Sequence, residues 1–439
     1  MDGSFLESYY ALSGGIVSTE SDAATYATQH LIGDYARKNI YNEADNQLFD
    51  SNGNLTGTMN PNYNDLDWEK AVERTGYRQE YNASAGVSGE KFNVYTSAGY
   101  LKEDGYAVNS GFERFTGRIN SKFNATNWLE VGLNLSGASS DCNFNSDANG
   151  SLYSNPFYVT RYMAPVYSYY LHNADGTYAL DTNGNKQYDT TSSYLDNRNI
   201  AYEMRTDKDK NRRNVLDGIA YAKITLPYGF GVTLNTDLSN STSNREQYNN
   251  PNIGDGATNN GRLSEYNYRY TNITGQELLT WNHSFGQNNI DVLAGHENHS
   301  WKRKYYFVLN TDATVDGLLA LSNFITNSET EGYDYDYKTE SYLGRVRYNY
   351  ADKYYADFSY RRDGSSKFSK DNRWGDFYSF GLNWNIKKEN FLKDVNWIDA
   401  LRARASYGEV GNDMAVDYYG YQALYYITKN GGNPALIKE

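Results

Sequence analysis

Cysteine, basic charge and long apolar runs are all scarce in this sequence of 439 residues. The single cysteine, Cys142, excludes an internal disulfide framework and any metal site built from several cysteines. The formal net charge of −13 argues against a nucleic-acid partner, because phosphate binding needs a basic surface. The sequence contains no run of about 20 mostly apolar residues, so no transmembrane helix is predicted.

Tyrosine is the residue in clear excess, with 45 copies. The mean hydropathy of −0.79 is low, yet it is compatible with a membrane β-barrel, whose strands are apolar on one face only. Met1 leads into DGSFLESYY, which has neither a basic region nor an apolar region. We therefore predict no signal peptide at this position.

Alternation of apolar and polar residues is the dominant pattern, and it predicts strands with two different faces. In NWLEVGLNLSG, for example, Leu129, Val131 and Leu133 share one face, and Glu130 and Asn134 share the other. Similar segments of about 8 to 12 residues recur along the chain. The clearest others lie at residues 81–88, 230–238, 354–361, 377–386 and 401–408. About a dozen such strands and little convincing helix indicate an all-β protein.

Two all-β architectures fit this alternation. A soluble β-sandwich buries its apolar faces in a core, whereas an outer-membrane barrel turns them to lipid and places aromatic girdles at the two interfaces. Aromatic residues predicted at strand ends favour the barrel: Trp128, Tyr354, Tyr360, Trp374 and Trp397. Short connections such as LPYG and YADK alternate with long polar loops, at about 139–213 and 239–265. Bacterial outer-membrane barrels have this alternation, so we predict an antiparallel transmembrane barrel.

Several ordered segments resemble one known family. They are DWEKAVERTGYRQEYNASAGVSG, GYLKEDGYAVNSGFERFTGRIN with NWLEVGLNLS, GQELLTWNHSFG with NNIDVLAGHE, SYRRDGSSKFSKDNRWGDFYSFGLNWNI with ALRARASYGEVGN, and GGNPALIKE. Together they resemble the SusC/RagA family, TonB-dependent outer-membrane transporters of Bacteroidetes-type bacteria. The resemblance runs from about Asp67 to the last residue.

The resemblance implies a fold, an activity and partners. Such transporters combine a 22-stranded barrel with an internal plug and a TonB-contacting segment, and they import oligosaccharides or peptides with a SusD-like surface lipoprotein. The chain corresponds to an incomplete portion of that barrel, residues 67–439, without a plug. Residues 1–66 are expected to form a lead-in segment that follows an absent plug. The expected location is the cell outer membrane. The alternative function is a soluble or surface β-rich glycan-binding or adhesion protein.

Three short motifs contain side chains that could bind a metal ion or form a catalytic pair, and each of them also has a structural interpretation. In HENH, His296 and His299 are three residues apart and point to opposite faces of a strand, so a shared metal ion is disfavoured. DTNGNKQYD, from Asp181 to Asp189, has oxygen ligands at alternate positions but lacks the EF-hand Gly and Glu, and a hairpin is favoured over calcium. The pair Asp334 and Asp336 is interpreted as solvated loop charge. We predict no enzyme activity, no cofactor and no bound metal.

Aromatic side chains are the candidate ligand contacts, because sugar rings stack their C–H faces on Tyr and Trp. The densest cluster is expected in the long loop SLYSNPFYVTRYMAPVYSYYLH. Its members are Tyr153, Phe157, Tyr158, Tyr162, Tyr167, Tyr169 and Tyr170. The alternative for these residues is packing of the loop on the barrel rim.

Overall fold

The structure, a computed structural model, describes residues 14–50, 54–145, 155–191, 198–392, 394–430 and 433–438. Twelve consecutive antiparallel strands form one sheet in which each strand pairs with its neighbours in sequence. The strands are β1 (Tyr77–Ser88), β2 (Phe92–Asp104), β3 (Gly111–Asn124), β4 (Leu129–Asn143), β5 (Lys208–Thr225), β6 (Phe230–Asn249), β7 (Arg262–Phe285), β8 (Asn288–Ala313), β9 (Phe324–Tyr350), β10 (Tyr354–Ser365), β11 (Trp374–Asn385) and β12 (Arg402–Gly408). This single sheet rules out a two-sheet sandwich for these residues.

Short helices and one separate hairpin complete the described elements. The α-helices are α1 (Glu20–His30), α2 (Trp68–Val72), α3 (Pro156–Tyr162) and α4 (Ile200–Thr206). A π-helical turn spans Leu31–Ala36, and 3-10 turns span Asp45–Gln47, Pro227–Gly229, Gly254–Asn259, Leu321–Asn323, Lys370–Asn372, Ile386–Lys388 and Asn390–Leu392. The hairpin pairs β13 (Tyr425–Asn430) with β14 (Asn433–Lys438). No helix in these described ranges is both long and apolar enough to cross a membrane.

Each face of the sheet has its own chemistry, because cross-strand partners in an antiparallel sheet point the same way. Every second residue of β4, from Leu129 to Leu135, shares one face, which we call the apolar face. The registers place these residues on the same face: Ala222 and Ile224 on β5; Phe230, Val232 and Leu234 on β6; Leu279 and Trp281 on β7; Ile290, Val292 and Ala294 on β8; Val346 and Tyr348 on β9; Ala356 and Phe358 on β10; Phe380 and Leu382 on β11. The opposite side is the polar face.

Connections differ at the two ends of the sheet. At one end, the short-turn end, the links at 89–91, 125–128, 226–229, 286–287 and 351–353 are tight, and only 386–401 is longer. At the other, the long-loop end, the links are 105–110, 144–207, 250–261, 314–323 and 366–373. The predicted loop at 239–265 is wrong in extent, since residues up to Asn249 belong to β6 and those from Arg262 belong to β7. The predicted loop at 139–213 is likewise too long, since the connection between β4 and β5 spans only 144–207.

Strand length explains these corrections. β8 and β9 have 26 and 27 residues, more than twice the about 9–11 that a strand needs to cross a bilayer. In β6, which has 20 residues, both faces carry polar side chains beyond Leu238, so the apolar–polar alternation is lost there while the backbone pairing continues. The predicted girdle residue Tyr360 also lies within β10 and not at its end.

The longer connection at the short-turn end, 386–401, is anchored by one carboxylate. Glu389 accepts hydrogen bonds from the Tyr354 hydroxyl (2.5 Å), the Trp384 indole (3.1 Å) and the Lys353 ammonium (3.1 Å). These donors lower the pKa of Glu389 to about 2.

Acidification is therefore expected to release residues 386–392. A group with a lowered pKa stabilises the fold above its ordinary pKa, and the contribution is lost as the pH falls through the folded-state value. Hydrogen exchange of this segment, corrected for intrinsic rates, should stay slow down to about pH 4.5 and accelerate towards pH 2. Glu389→Gln should exchange at one corrected rate across that range. An unchanged acid response in the variant contradicts this role of Glu389.

Candidate functional site

The predicted loop aromatics lie at the long-loop end, in a small folded cap. Tyr153 is outside the described residues. The cap is formed by residues 155–191 and 198–207 together with α2, and its buried core includes Trp68, Val72, Val159, Ile200, Ala201 and Met204. Phe157 and Tyr169 pack against this core, with Tyr169 edge-on to Trp68 at 5.8 Å between ring centroids. These two rings therefore help to hold the cap together.

The other loop aromatics differ in accessibility. Tyr158 and Tyr162 stack on each other at 4.3 Å along one turn of α3, and Tyr162 is 68% exposed. The backbone carbonyl of Tyr167 accepts a hydrogen bond from the Trp68 indole. Tyr170 lies 4.9 Å from the Tyr188 ring. Ligand contact by this cluster remains a prediction, and the Tyr158–Tyr162 pair is its most accessible part.

Buried polar groups fasten the cap to its surroundings. His172 has both ring nitrogens within hydrogen-bond distance of acceptors, Asp65 Oδ1 at 3.0 Å and the Gly176 carbonyl at 2.7 Å. Asp65 Oδ2 also accepts from the Tyr170 backbone N–H at 2.9 Å. Because Asp65 precedes the sheet by sequence and His172 follows β4, this cluster ties the lead-in segment to the β4–β5 connection.

A second buried cluster joins the cap to the loop between β6 and β7. The Arg198 guanidinium hydrogen-bonds both Glu203 oxygens and, at 2.8 Å, Asp255. Burial raises the pKa of Glu203, and the Arg198 charge opposes that rise. Burial also raises the pKa of Asp207, which accepts hydrogen bonds from the Asn249 and Asn250 side chains. Because each charged group in this cluster has hydrogen-bond partners within the protein, we interpret the cluster as structural.

The largest group of aromatic side chains lies elsewhere, on the polar face of β7, β8 and β9 near the long-loop end. We call it the aromatic array. Its members face one another by register and are Tyr266, Tyr268, Tyr270, Trp301, Tyr305, Phe307, Tyr333, Tyr335 and Tyr337. Neighbouring rings are in contact, as between Tyr268 and Tyr305 (4.7 Å) and between Tyr305 and Tyr333 (4.9 Å). The array forms a row of contacting rings on the otherwise hydrophilic side of the sheet, in which Tyr305 and Phe307 are buried and the other members are half-buried.

The aromatic array is not among the predicted ligand contacts, although the sequence contains a pattern that indicates it. Tyr266, Tyr268 and Tyr270 alternate in EYNYRYTN, and Tyr333, Tyr335 and Tyr337 alternate in YDYDY. Alternate positions on a strand share a face, so both triplets predict a one-sided row of rings. The predicted loop at 239–265 ends just before Tyr266, and the interpretation of Asp334 and Asp336 as loop charges puts the second row in a loop.

The intervening aspartates are strand residues, so their assignment to a loop is wrong. Asp334 and Asp336 lie on the apolar-face side of β9, where they form exposed ion pairs with Lys304 (3.9 Å) and Lys302 (3.7 Å) of β8. At the long-loop end this side of the sheet is therefore charged. Facing cations satisfy both carboxylates, which is unlike a catalytic acid pair.

The histidines of HENH point to opposite faces, as their spacing predicts. His296 lies between Glu277 (2.8 Å) and Glu340 (3.4 Å), whereas His299 is 3.0 Å from the Thr274 hydroxyl on the polar face. Both lie within β8. Among the described residues, no group of three or more His, Cys, Asp or Glu side chains is arranged to hold a metal ion.

DTNGNKQYD forms a tight turn within the cap. Asp181 Oδ1 accepts backbone hydrogen bonds from Asn183 and Asn185, both at 2.8 Å. Leu180 and Lys186 bridge across the turn, as do Tyr170 and Tyr188 further out. These bonds lower the pKa of Asp181. The hairpin geometry predicted from the Asn-Gly pattern is therefore present.

A cavity of about 470 Å³ adjoins the aromatic array at Tyr337. The loop 366–373 and the segment 409–424, which follows β12, surround it. Asp413 of this segment accepts hydrogen bonds from Tyr337 (2.7 Å) and Ser365 (2.8 Å). Further along, Tyr418 stacks on Trp301 at 5.2 Å. The segment after β12 thus folds back over the polar face and covers part of the array.

Arg361 and Asp363, from the charged stretch RRDGSSKFSKDNRWG, lie on the wall of this cavity. β10 continues to Ser365, so the first five residues of this stretch belong to the strand and not to the turn. Arg361 bonds Asp363 at 2.6 Å and Glu297 at 3.0 Å. The cluster is internally paired and contains no arrangement of nucleophile and base.

Comparison with known proteins gives a consistent result. The chain matches no protein-family model. It is 28% identical over 425 residues to TonB-dependent receptor P3 of Formosa agariphila, and this alignment covers 92% of this chain and 40% of that protein. It is 27% identical over 383 residues to TonB-dependent receptor SusC of Bacteroides thetaiotaomicron, covering 82% and 36%. The chain therefore spans about two fifths of the length of these curated relatives.

Solved structures show the same fold. The chain aligns over its whole length with 48% of the transporter chain of the RagAB peptide transporter, with a TM-score of 0.70 and 22% identity. The closed state of the RagAB peptide importer gives a TM-score of 0.72 at the same identity and coverage. The predicted antiparallel barrel sheet of about a dozen strands is confirmed, as is the resemblance on which the prediction of a partial barrel was based.

Proposed function

We propose, from the premise that this chain is similar to the barrel region of SusC/RagA-type TonB-dependent receptors, that it forms part of the wall of an outer-membrane import barrel. The observation that carries the proposal is the apolar face, which continues across the twelve-stranded sheet opposite a polar face. Lipid tolerates apolar side chains and a lumen tolerates charge. The apolar face then contacts lipid, and the polar face with the aromatic array lines the passage.

The difference in connection length between the two ends of the sheet supports one orientation of the sheet across the outer membrane. In bacterial barrels the short turns face the periplasm and the long loops face outside. The cap and the 366–373 loop are then extracellular, and residues 386–401 are periplasmic. β1 and β12 are the edges of the sheet, and unpaired strand edges are not tolerated in lipid. We propose that further strands of a larger barrel pair with both edges.

The cargo and partners follow from the family resemblance. We propose that the complete transporter imports oligosaccharides or peptides, receives energy through the TonB complex by way of a plug, and works with a SusD-like surface lipoprotein at the long-loop end. The named relatives are receptors and one is part of a peptide transporter, which supports import over catalysis. The aromatic array and the exposed Tyr158–Tyr162 pair are the proposed ligand contacts.

Membrane partition tests this proposal directly. The complete protein that carries this chain should be recovered in the outer-membrane fraction, need detergent for extraction and migrate differently on gels before and after boiling. A strain without TonB should lose uptake of the cargo while the protein stays in the membrane. Recovery of folded protein in the soluble fraction without detergent overturns the proposal and favours a soluble glycan-binding protein.

A further inference from the structure

We propose that the aromatic array binds oligosaccharides that carry carboxylate groups, with Arg303 as the residue that recognises the charge. This inference rests on the proposed import function and specifies the chemical class of the cargo. Arg303 lies on the polar face of β8, directly across from Tyr270 and Tyr335. Its guanidinium is 5.2 Å from the Tyr268 ring centroid and 5.3 Å from that of Tyr333.

Arg303 has aromatic neighbours but no acidic one. It has no hydrogen-bond or ion-pair partner among the described residues, and its Nε atom is buried without an acceptor. A buried donor without a partner is unfavourable, and guanidinium groups bind carboxylates through two parallel hydrogen bonds. Ring faces provide no such acceptor. Because Nε is closed to solvent, a ligand carboxylate would pair with the terminal guanidinium nitrogens of Arg303, which have no partner among the described residues.

Several other charges around the array are paired, whereas the exposed Glu331, directly across from Phe307, has no ion-pair partner among the described residues. Arg245 bonds Asp209 at 2.7 Å on the neighbouring part of the polar face, and Arg361 bonds Glu297 and Asp363. Asp413 accepts from Tyr337 and Ser365, and the Lys367 ammonium bonds the Asp413 carbonyl at 2.8 Å. Arg303 has a tyrosine and no carboxylate directly across from it on either side, and Glu331 lies two same-face pairs further along the array.

A second unpartnered guanidinium lies next to the array. Arg373 lines the cavity of about 470 Å³ that begins at Tyr337, and its Nε is also buried without an acceptor. Asp363 and Asp413, the carboxylates of that cavity, have the partners described above. Tyr335 and Tyr337 lie between the two arginines, and Tyr418 contacts both rings at 5.3 and 6.0 Å. An oligosaccharide with an acid group on each ring offers a carboxylate to Arg303 on one side of Tyr418 and to Arg373 on the other.

The surface favours a sugar chain over an acidic peptide. A peptide gains main-chain affinity by pairing with an exposed strand edge, and β7, β8 and β9 are paired on both sides. The array instead offers flat ring faces and phenolic hydroxyls, which suit the C–H faces and hydroxyls of sugars.

Two ligands that differ only in charge provide the test. Calorimetry on the complete detergent-solubilised protein would compare a galacturonic acid hexamer with its fully methyl-esterified counterpart, which keeps the rings and removes the carboxylates. We expect the acid to bind at least about tenfold more tightly at low salt, the size of effect that one charge-assisted hydrogen bond gives. Arg303→Gln should remove most of that preference and leave the affinity for the ester unchanged.

Lys304→Gln is the matched control, because it removes the same charge one residue away on the opposite face of β8. It should preserve the preference for the acid. If Arg303→Gln fails to assemble, the acid-to-ester ratio of the unmodified protein and its decrease with salt still decide the question. Equal binding of acid and ester, no binding of either, or tighter binding of a hexaglutamate peptide overturns the inference. Outer-membrane partition is unaffected by these outcomes, so a failure here is distinguishable from a failure of the import proposal.

Discussion

Leu133→Arg in the complete protein should sharply reduce the yield of folded protein in the outer membrane, whereas Asn134→Arg should leave it nearly unchanged. Leu133 lies on the apolar face of β4, between Ser121 and Ala220 on the adjacent strands. An arginine on the lipid face of a barrel costs about 2–4 kcal/mol near the bilayer midplane. No acidic residue lies directly across from Leu133 to offset that cost.

Asn134 is the control for this prediction, because the next residue of a strand points to the opposite face. An arginine there projects into the water-filled side and adds the same charge and bulk. The measurement is the fraction of each variant that is membrane-inserted and heat-modifiable on gels, relative to the unmodified protein. Equal loss in both variants, or a greater loss for Asn134→Arg, means that the assignment of the two faces is wrong.

Arg198→Met should open the cap while leaving the barrel sheet intact. Arg198 and Glu203 are both buried, with side-chain exposures of 8% and 5%. Removal of one partner of a buried pair leaves an uncompensated charge, at a cost of about 3–5 kcal/mol. Hydrogen exchange in α4 should therefore accelerate by two to three orders of magnitude, about what that free energy implies, while exchange in β6 to β9 stays slow.

Charge accounts for this loss, and a double variant separates charge from packing. Arg198→Met with Glu203→Leu removes both charges and keeps apolar volume, so it should recover most of the protection in α4. The single variant should also become less stable as pH rises above about 4.5, since a buried acid with a raised pKa favours the folded state only while protonated. A double variant as open as the single one contradicts the explanation.

The barrel sheet could be predicted from the sequence wherever the two faces of a strand differ in polarity. On β4 and β11, apolar and polar side chains alternate between the two faces, and Leu129 to Leu135 show this in the sequence. The same rule predicted that His296 and His299 point to opposite faces. These assignments depend only on the two-residue period of a strand, which needs no knowledge of the neighbouring strand.

Cross-strand contacts, by contrast, depend on register, and the sequence contains no direct record of register. The extension of β6 beyond Leu238 has polar residues on both faces, so it resembled a loop. Loop aromatics such as Phe157 and Tyr169 resembled ligand contacts, yet they pack into the cap because Trp68, distant in sequence, folds against them.

The sequence by itself determined that apolar and polar residues alternate along the strands, so that one face is apolar. It also determined that short turns and long loops alternate along the chain. Only the tertiary structure decided which side chains meet across strands. It brought two alternating tyrosine rows together on either side of Arg303, placed no acid directly across from that guanidinium, and paired Arg361 with Glu297, 64 residues away in the sequence. The physical reason is that periodicity is a local property of the backbone, whereas a binding surface is assembled from the register of separate strands.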